Sequence, residues 1–143
     1  STNFDFMWTP ANISYCDNHR TQKIRTPGTG YLGDLSMSSI INPYPALNAY
    51  VLAGLDGVRR NLDPGEPNLG NLYSLSPEEI RLRGIRILPQ TLDESLAELK
   101  KDELIQESLG VIYEEYIDLK EAELREFRRQ VTPWEIDRYL TLF

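Results

Sequence analysis

The chain has one cysteine, one histidine, two methionines and two tryptophans in 143 residues. With Cys16 alone, no intrachain disulfide forms and a cysteine-based zinc site is excluded in practice. With His19 alone, any histidine-dependent triad would have to use that residue. It sits beside Asp17 and Asn18 in a turn-like stretch, where a surface or hydrogen-bonding role is the simpler reading. No apolar run is long enough to span a bilayer. The opening Ser1-Thr2-Asn3-Phe4-Asp5 has neither the basic nor the apolar region of a secretion signal. These absences fit a reducing, cytoplasmic location with no membrane partner.

Positive charge is also scarce. The net charge is −7, unevenly spread. Residues 1–35 carry three acidic and three basic side chains, whereas residues 76–143 carry sixteen and ten. Such a chain repels nucleic-acid phosphates unless a basic groove is built locally. The nearest candidate, Arg81, Arg83 and Arg86, lies beside Glu78 and Glu79 and reads as a solvated face. Nucleic acid is therefore not an expected partner.

The length suits one domain with a modest core, and 41% apolar with 26% charged residues is ordinary for a globular chain. The first part reads as short β-strands. Ile13–Cys16 and Gln22–Arg25 flank the turn-like Asp17-Asn18-His19-Arg20 and predict a hairpin. Tyr31–Met37, after Pro27-Gly28-Thr29-Gly30, predicts a third strand. The expected class is α+β, with short antiparallel strands at the N-terminal end and a mainly helical C-terminal part.

Pro43–Arg60 reads as a helix with a stripe of Leu47, Tyr50, Val51, Gly54, Leu55 and Val58. Its other side carries Ala46, Ala49, Leu52 and Ala53. A helix apolar around most of its circumference needs cover on most sides, more than three small strands supply. This predicts a larger body around it. Asn61–Tyr73 reads as a loop. Ser76-Pro77-Glu78-Glu79, Thr91-Leu92-Asp93-Glu94 and Thr132-Pro133-Trp134-Glu135 are capping boxes that open helices. Between the last two, Val111–Gln130 is helical, with Tyr113, Tyr116, Ile117, Leu124 and Phe127 on one face.

No self-contained catalytic motif is present: there is no phosphate-loop pattern and no zinc-type cluster. The chemical candidates are Arg20 and Arg25, at or next to the first hairpin. Arginine offers a planar, permanently charged fork suited to phosphate oxygens. On composition alone, surface salt bridges are the commoner role for such residues.

Several motifs bear on that choice. Ser14-Tyr15, Asn18-His19-Arg20-Thr21 and Ile24-Arg25-Thr26-Pro27 come first. Asn42-Pro43-Tyr44, Ala53-Gly54-Leu55-Asp56-Gly57 and Asp63-Pro64-Gly65-Glu66-Pro67 follow. Asn71-Leu72-Tyr73-Ser74-Leu75-Ser76-Pro77-Glu78-Glu79 and Leu88-Pro89-Gln90-Thr91-Leu92 come next, and Val131-Thr132-Pro133-Trp134-Glu135 with Tyr139-Leu140 closes the series. Their order and distances resemble the C-terminal part of the catalytic domain of the glutamine synthetase family. The ending is similar to the branch that includes γ-glutamylmethylamide synthetases. The resemblance runs over nearly the whole chain from Trp8.

The resemblance implies an ATP-dependent ligase of nitrogen metabolism that makes the γ-amide of glutamate, with ammonia or an amine, through γ-glutamyl phosphate. It implies ATP and Mg²⁺ or Mn²⁺ for a full-length protein, with none held tightly by residues 1–143. It also implies a missing N-terminal part as partner and a homo-oligomer, since family members form double rings. Arg20 and Arg25 fall on positions that contact nucleotide phosphates and the transferring phosphoryl group. Tyr73 falls where some bacterial members carry a regulatory, adenylylated tyrosine, although an ordinary loop tyrosine is the simpler reading.

Two positions depart from the pattern. The family's glutamate metal ligand and a substrate-contacting arginine fall on Gly33 and Leu35, so no metal ligand is expected here. Asp34 points to the opposite face of a strand, and only a bulge would re-aim it. The fragment alone is thus expected to be inactive. The alternatives are a catalytically degenerate relative serving as a structural or interaction protein, and a small acidic α+β binding module.

Overall fold

The computed structural model describes residues 11–17, 21–28, 30–140 and 142. The α+β expectation holds: short strands come first and helices make up most of the rest. β1 (Asn12–Ile13) pairs antiparallel with β5 (Arg86–Ile87), in the register Asn12 with Ile87 and Ile13 with Arg86. β2 (Tyr15–Cys16), β3 (Ile24–Arg25) and β4 (Gly33–Asp34) form a second sheet in that order.

The hairpin expectation is corrected here. β2 and β3 run parallel, with Tyr15 opposite Ile24 and Cys16 opposite Arg25. The two strands are therefore not the arms of a hairpin. Only β3 and β4 are antiparallel. The third strand is shorter than expected, two residues within Tyr31–Met37. Before it, Gly28 and Gly30 have φ of 72° and 81°, a conformation that glycine adopts without steric cost; Thr29 lies outside the described residues.

α1 (Pro43–Arg59) starts where Asn42 accepts a hydrogen bond from the Tyr44 amide, with proline in its first turn. It ends one residue short of the expected Arg60, which caps it. Its small-residue side packs on α4 (Glu103–Leu109), and Asn48 donates to the Ser108 carbonyl at 3.1 Å. Five of its large apolar residues lie on the open side, while Tyr50 and Leu52 are half-buried. Tyr44, Leu47, Val51, Leu55 and Val58 are 84, 60, 56, 45 and 78% exposed. These five recur at helical spacing as one stripe without cover among the described residues.

The caps follow the sequence closely. Ser76 opens α2 (Pro77–Leu82) and Thr132 opens α6 (Pro133–Tyr139), each with both bonds of a capping box. Hydrogen bonds from the amide and hydroxyl of Ser76 hold the Glu79 carboxyl below its ordinary value. Thr91 caps α3 (Leu92–Leu99) by accepting from the Glu94 amide. The Glu94 carboxylate reaches back one residue further than expected, to the Gln90 amide at 2.7 Å.

α5 (Tyr113–Phe127) follows a 3₁₀ turn at Gly110–Ile112. It packs on α3, where Leu96 and Ile117 are buried. Lys100 pairs with Glu121, and Arg128 with Asp93. Only part of the expected apolar face is used, since Phe127 is 70% exposed. The other buried apolar residues among those described are Cys16, Leu72 and Ile85, around the strands. The core is accordingly small and divided. No helix among the described residues is long and apolar enough to cross a membrane.

Candidate anion site around Arg25

Arg25 lies on β3, the middle strand of its sheet, half-buried. The backbone around it is held from both sides. Ile24 and Thr26 donate to the carbonyls of Ser14 and Cys16 at 3.0 and 2.9 Å, and Leu35 donates to the Lys23 carbonyl at 2.9 Å. This ladder fixes which residues face one another. Gly33 is the direct cross-strand partner of Arg25.

Gly33 is not forced by the backbone. Its φ lies outside the left-handed region, and a Cβ built there would stand 3.9 Å from the Arg25 Cβ and carbonyl oxygen, ordinary contact. The missing side chain leaves room beside Arg25. Leu35, two residues on, is partly buried and apolar, so it offers no charge to substrate or phosphate.

Asp34 has a different task. No bulge re-aims it, because Ile24 pairs directly with Asp34 and Arg25 with Gly33. Its carboxylate takes the Lys23 Nζ at 2.9 Å on one oxygen. Its other oxygen accepts from the Ser36 amide and hydroxyl at 2.8 and 2.6 Å. Burial pushes the Asp34 carboxyl up, but the Ser36 and Lys23 hydrogen bonds and the Lys23 charge outweigh it and hold it below its ordinary value. The side chain is 6% exposed.

A divalent cation such as Mg²⁺ requires several oxygen ligands. Gly33 supplies none and the Asp34 oxygens are engaged. Among the described residues, no three His, Cys, Asp or Glu side chains gather where they could hold a metal ion. The described residues around Gly33 and Asp34 do not fit a divalent cation.

Arg20, His19 and most of the Asp17–Arg20 turn lie outside the described residues. Whether Arg20 meets Arg25 is therefore not part of the geometry, and the corrected strand direction removes the hairpin that was expected to bring them together. Tyr73 lies in a 3₁₀ turn, Leu72–Ser74, opened by Asn71. It is 43% exposed, and partial burial pushes its hydroxyl pKa up. Arg81, Arg83 and Arg86 are all exposed, as expected of a solvated face.

Sequence reasoning missed the residues that fasten the following loop to this sheet. Gln22 is fully buried and donates to the carbonyls of Asn68 and Gly70 at 3.0 and 3.4 Å. The Ser14 hydroxyl donates to the Gln22 side-chain oxygen. The Asn68 amide donates to the Tyr15 carbonyl at 3.0 Å, and the Tyr15 hydroxyl donates to the Gly65 carbonyl. The available signal was slight: a glutamine two residues before Ile24, in a segment read as strand.

Two open grooves lie elsewhere. One of about 650 Å³ is lined by Ile41, Ala46, Ala49, Leu109, Tyr116 and other residues. The other, about 680 Å³, is bordered by Asp56, Arg60, Glu98, Lys101 and Asp102 among others. Neither lining includes Arg25. No nucleophile and base are gathered around Arg25 among the described hydrogen bonds.

The sequence model of the family described as "Glutamine synthetase, catalytic domain" matches residues 4–139. The glutamate–methylamine ligase of Methyloversatilis universalis is 43% identical over 136 residues, 95% of this chain and 30% of that protein. The glutamine synthetase of Thermus thermophilus is 39% identical over 139 residues, 94% of this chain and 31% of that protein. A solved structure described as a GmaS/ADP complex superposes with a TM-score of 0.85 at 30% identity, covering 94% of this chain and 30% of that one. The chain thus spans about a third of the length of the relatives it matches.

Proposed function

The chain belongs to the glutamine synthetase catalytic-domain family, and from that premise we propose that residues 1–143 are the C-terminal portion of an ATP-dependent glutamate–ammonia or glutamate–amine ligase. The observation that supports a longer protein is coverage: the match takes in nearly all of this chain and about a third of each relative, and the C-terminal placement rests on the order of the motifs that end at Tyr139-Leu140. The uncovered stripe on α1 supports it, because a larger body is what such a stripe requires.

In the reaction proposed, the glutamate γ-carboxylate oxygen attacks the terminal phosphorus of ATP and ADP leaves. The amine nitrogen then attacks the carbonyl carbon of the γ-glutamyl phosphate, the C–O bond to phosphate breaks and phosphate leaves, and the nitrogen gives up a proton. Arg25, with Arg20, neutralises phosphate oxygens. Phosphoryl transfer depends mainly on positioning and charge neutralisation, which a fixed guanidinium supplies. ATP and Mg²⁺ or Mn²⁺ belong to the full-length protein, and the metal ligands lie outside residues 1–143. The N-terminal part of the same protein covers α1, and the assembly is a cytoplasmic homo-oligomer. Tyr73 serves as an ordinary loop residue, exposed enough for modification.

Gly33 and Leu35 favour a second reading, a relative that has lost catalysis and acts as a structural or interaction protein. The deciding experiment is ADP release by the full-length protein with glutamate and ATP, comparing ammonia with methylamine. Amine-dependent ADP release supports the ligase. None with either amine, from a protein that still binds ATP, supports the second reading.

A further inference from the structure

We infer that Gln22 is a positioning residue that joins the loop 65–72 to the β2–β3 pair and thereby sets the backbone that presents Arg25 to phosphate. The inference rests on the phosphate role proposed for Arg25. It goes beyond it by assigning a task to a residue and a loop that touch no substrate in that reading.

Gln22 precedes Arg25 by three residues, in the segment that leads into β3. Its amide is used at both ends. Its oxygen accepts from the buried Ser14 hydroxyl, and its nitrogen faces the carbonyls of Asn68 and Gly70. Ser14 holds the same segment a second time, since its carbonyl takes the Ile24 amide. A positive φ of 99° at Gly70 turns the loop so that both carbonyls reach one side chain, a backbone state open to glycine. The seam continues on both sides of Gln22. Tyr15 grips Gly65 and Asn68, and the Leu72 amide donates to the buried Thr21 hydroxyl at 3.4 Å.

A core that only needed filling would take an apolar side chain of the same size with little loss. A buried polar network instead specifies one arrangement, because a register slip leaves its members without partners. The strands here are two residues long and have little register information of their own. The Gln22 amide supplies it. Loop 65–72 and the strand that bears Arg25 then move as one body, and an anion held by Arg25 steadies the loop.

The test uses the full-length protein with Gln22→Met, which keeps volume and loses both ends of the amide. Tyr15→Phe is the milder second break, should the first fail to fold. Arg25→Ala is the comparison. The readouts are ATP affinity by calorimetry and amide exchange at Asn68, Leu72 and, as a reference, Ile117. The expected result is about tenfold weaker ATP binding and faster exchange at Asn68 and Leu72 in Gln22→Met, with Ile117 unchanged. Tyr15→Phe gives the same pattern at smaller size. ATP slows exchange at Asn68 in the wild type and not in Gln22→Met. Wild-type ATP affinity in Gln22→Met, while Arg25→Ala loses it, overturns the role of Gln22 and leaves that of Arg25. Loss in Gln22→Met with wild-type affinity in Arg25→Ala keeps the joining role and moves the phosphate contact to another residue. Wild-type affinity in both overturns both.

Discussion

The uncovered stripe on α1 makes a prediction that separates this chain from a full-length protein. Leu47 is 60% exposed. Full burial of a leucine contributes about 1.5–3 kcal/mol, so the two fifths realised in this chain amount to roughly 0.6–1.2 kcal/mol. Leu47→Ala in the isolated chain should therefore cost about 1 kcal/mol or less in a urea titration. In a full-length protein that covers the stripe, the same change should cost about 2–5 kcal/mol, as buried leucines do. The exposed remainder also predicts that the isolated chain self-associates, because a continuous apolar patch finds another. Sedimentation should give a mass well above 16.5 kDa, and Leu47→Glu with Val51→Glu should return it to the monomer. A wild-type chain that stays monomeric at micromolar concentration, or an equal cost of Leu47→Ala in both contexts, would refute the reasoning.

Three further outcomes are expected. The Asp34 carboxyl is held below its ordinary value near 3.8 in the folded chain, so it contributes stability that is fully present above that pH and is lost as the pH falls from there through the lower folded value. Asp34→Asn should remove that part of the acid sensitivity, measured as the unfolding midpoint from pH 6 down to pH 2. Thr132→Ala removes a complete capping box and should cost about 0.5–2 kcal/mol in chemical denaturation. The isolated chain should form no γ-glutamyl hydroxamate from glutamate, hydroxylamine, ATP and manganese, and turnover abolished by Arg25→Ala would contradict that.

What was legible in the sequence is what depends on near neighbours. Ser76, Thr91 and Thr132 each cap the helix expected of them, because a cap is decided within four residues. The long apolar helix was legible from its period. Pairing was not. Nothing local announces that Arg86–Ile87 runs beside Asn12–Ile13, since that pairing is paid for by distant parts of the chain. The parallel course of β2 and β3 was missed for the same reason: turn-rich residues suggested a reversal, and the parallel pair is joined by Gln22 to the 65–72 loop. The short α4 was also missed, although Asp102 caps it through the Ile105 amide. At the site, the register of Arg25 with Gly33 came only from the structure. So did the engagement of Asp34 with Lys23 and Ser36, because alternation gives a face and not a partner.

The central claim is that Arg25 meets a nucleotide phosphate in an ATP-dependent ligase, and ATP titration of the full-length protein by calorimetry tests it most directly. A charge-assisted contact shielded from water contributes about 1.5–3 kcal/mol, or roughly ten- to hundredfold in affinity. Arg25→Ala should lose that much. Arg25→Lys should lose less, because it keeps the charge and gives up the fork. The weaker binding expected of the isolated chain should fade with added salt. Wild-type affinity in Arg25→Ala would contradict the account and leave Arg25 as a structural residue of β3.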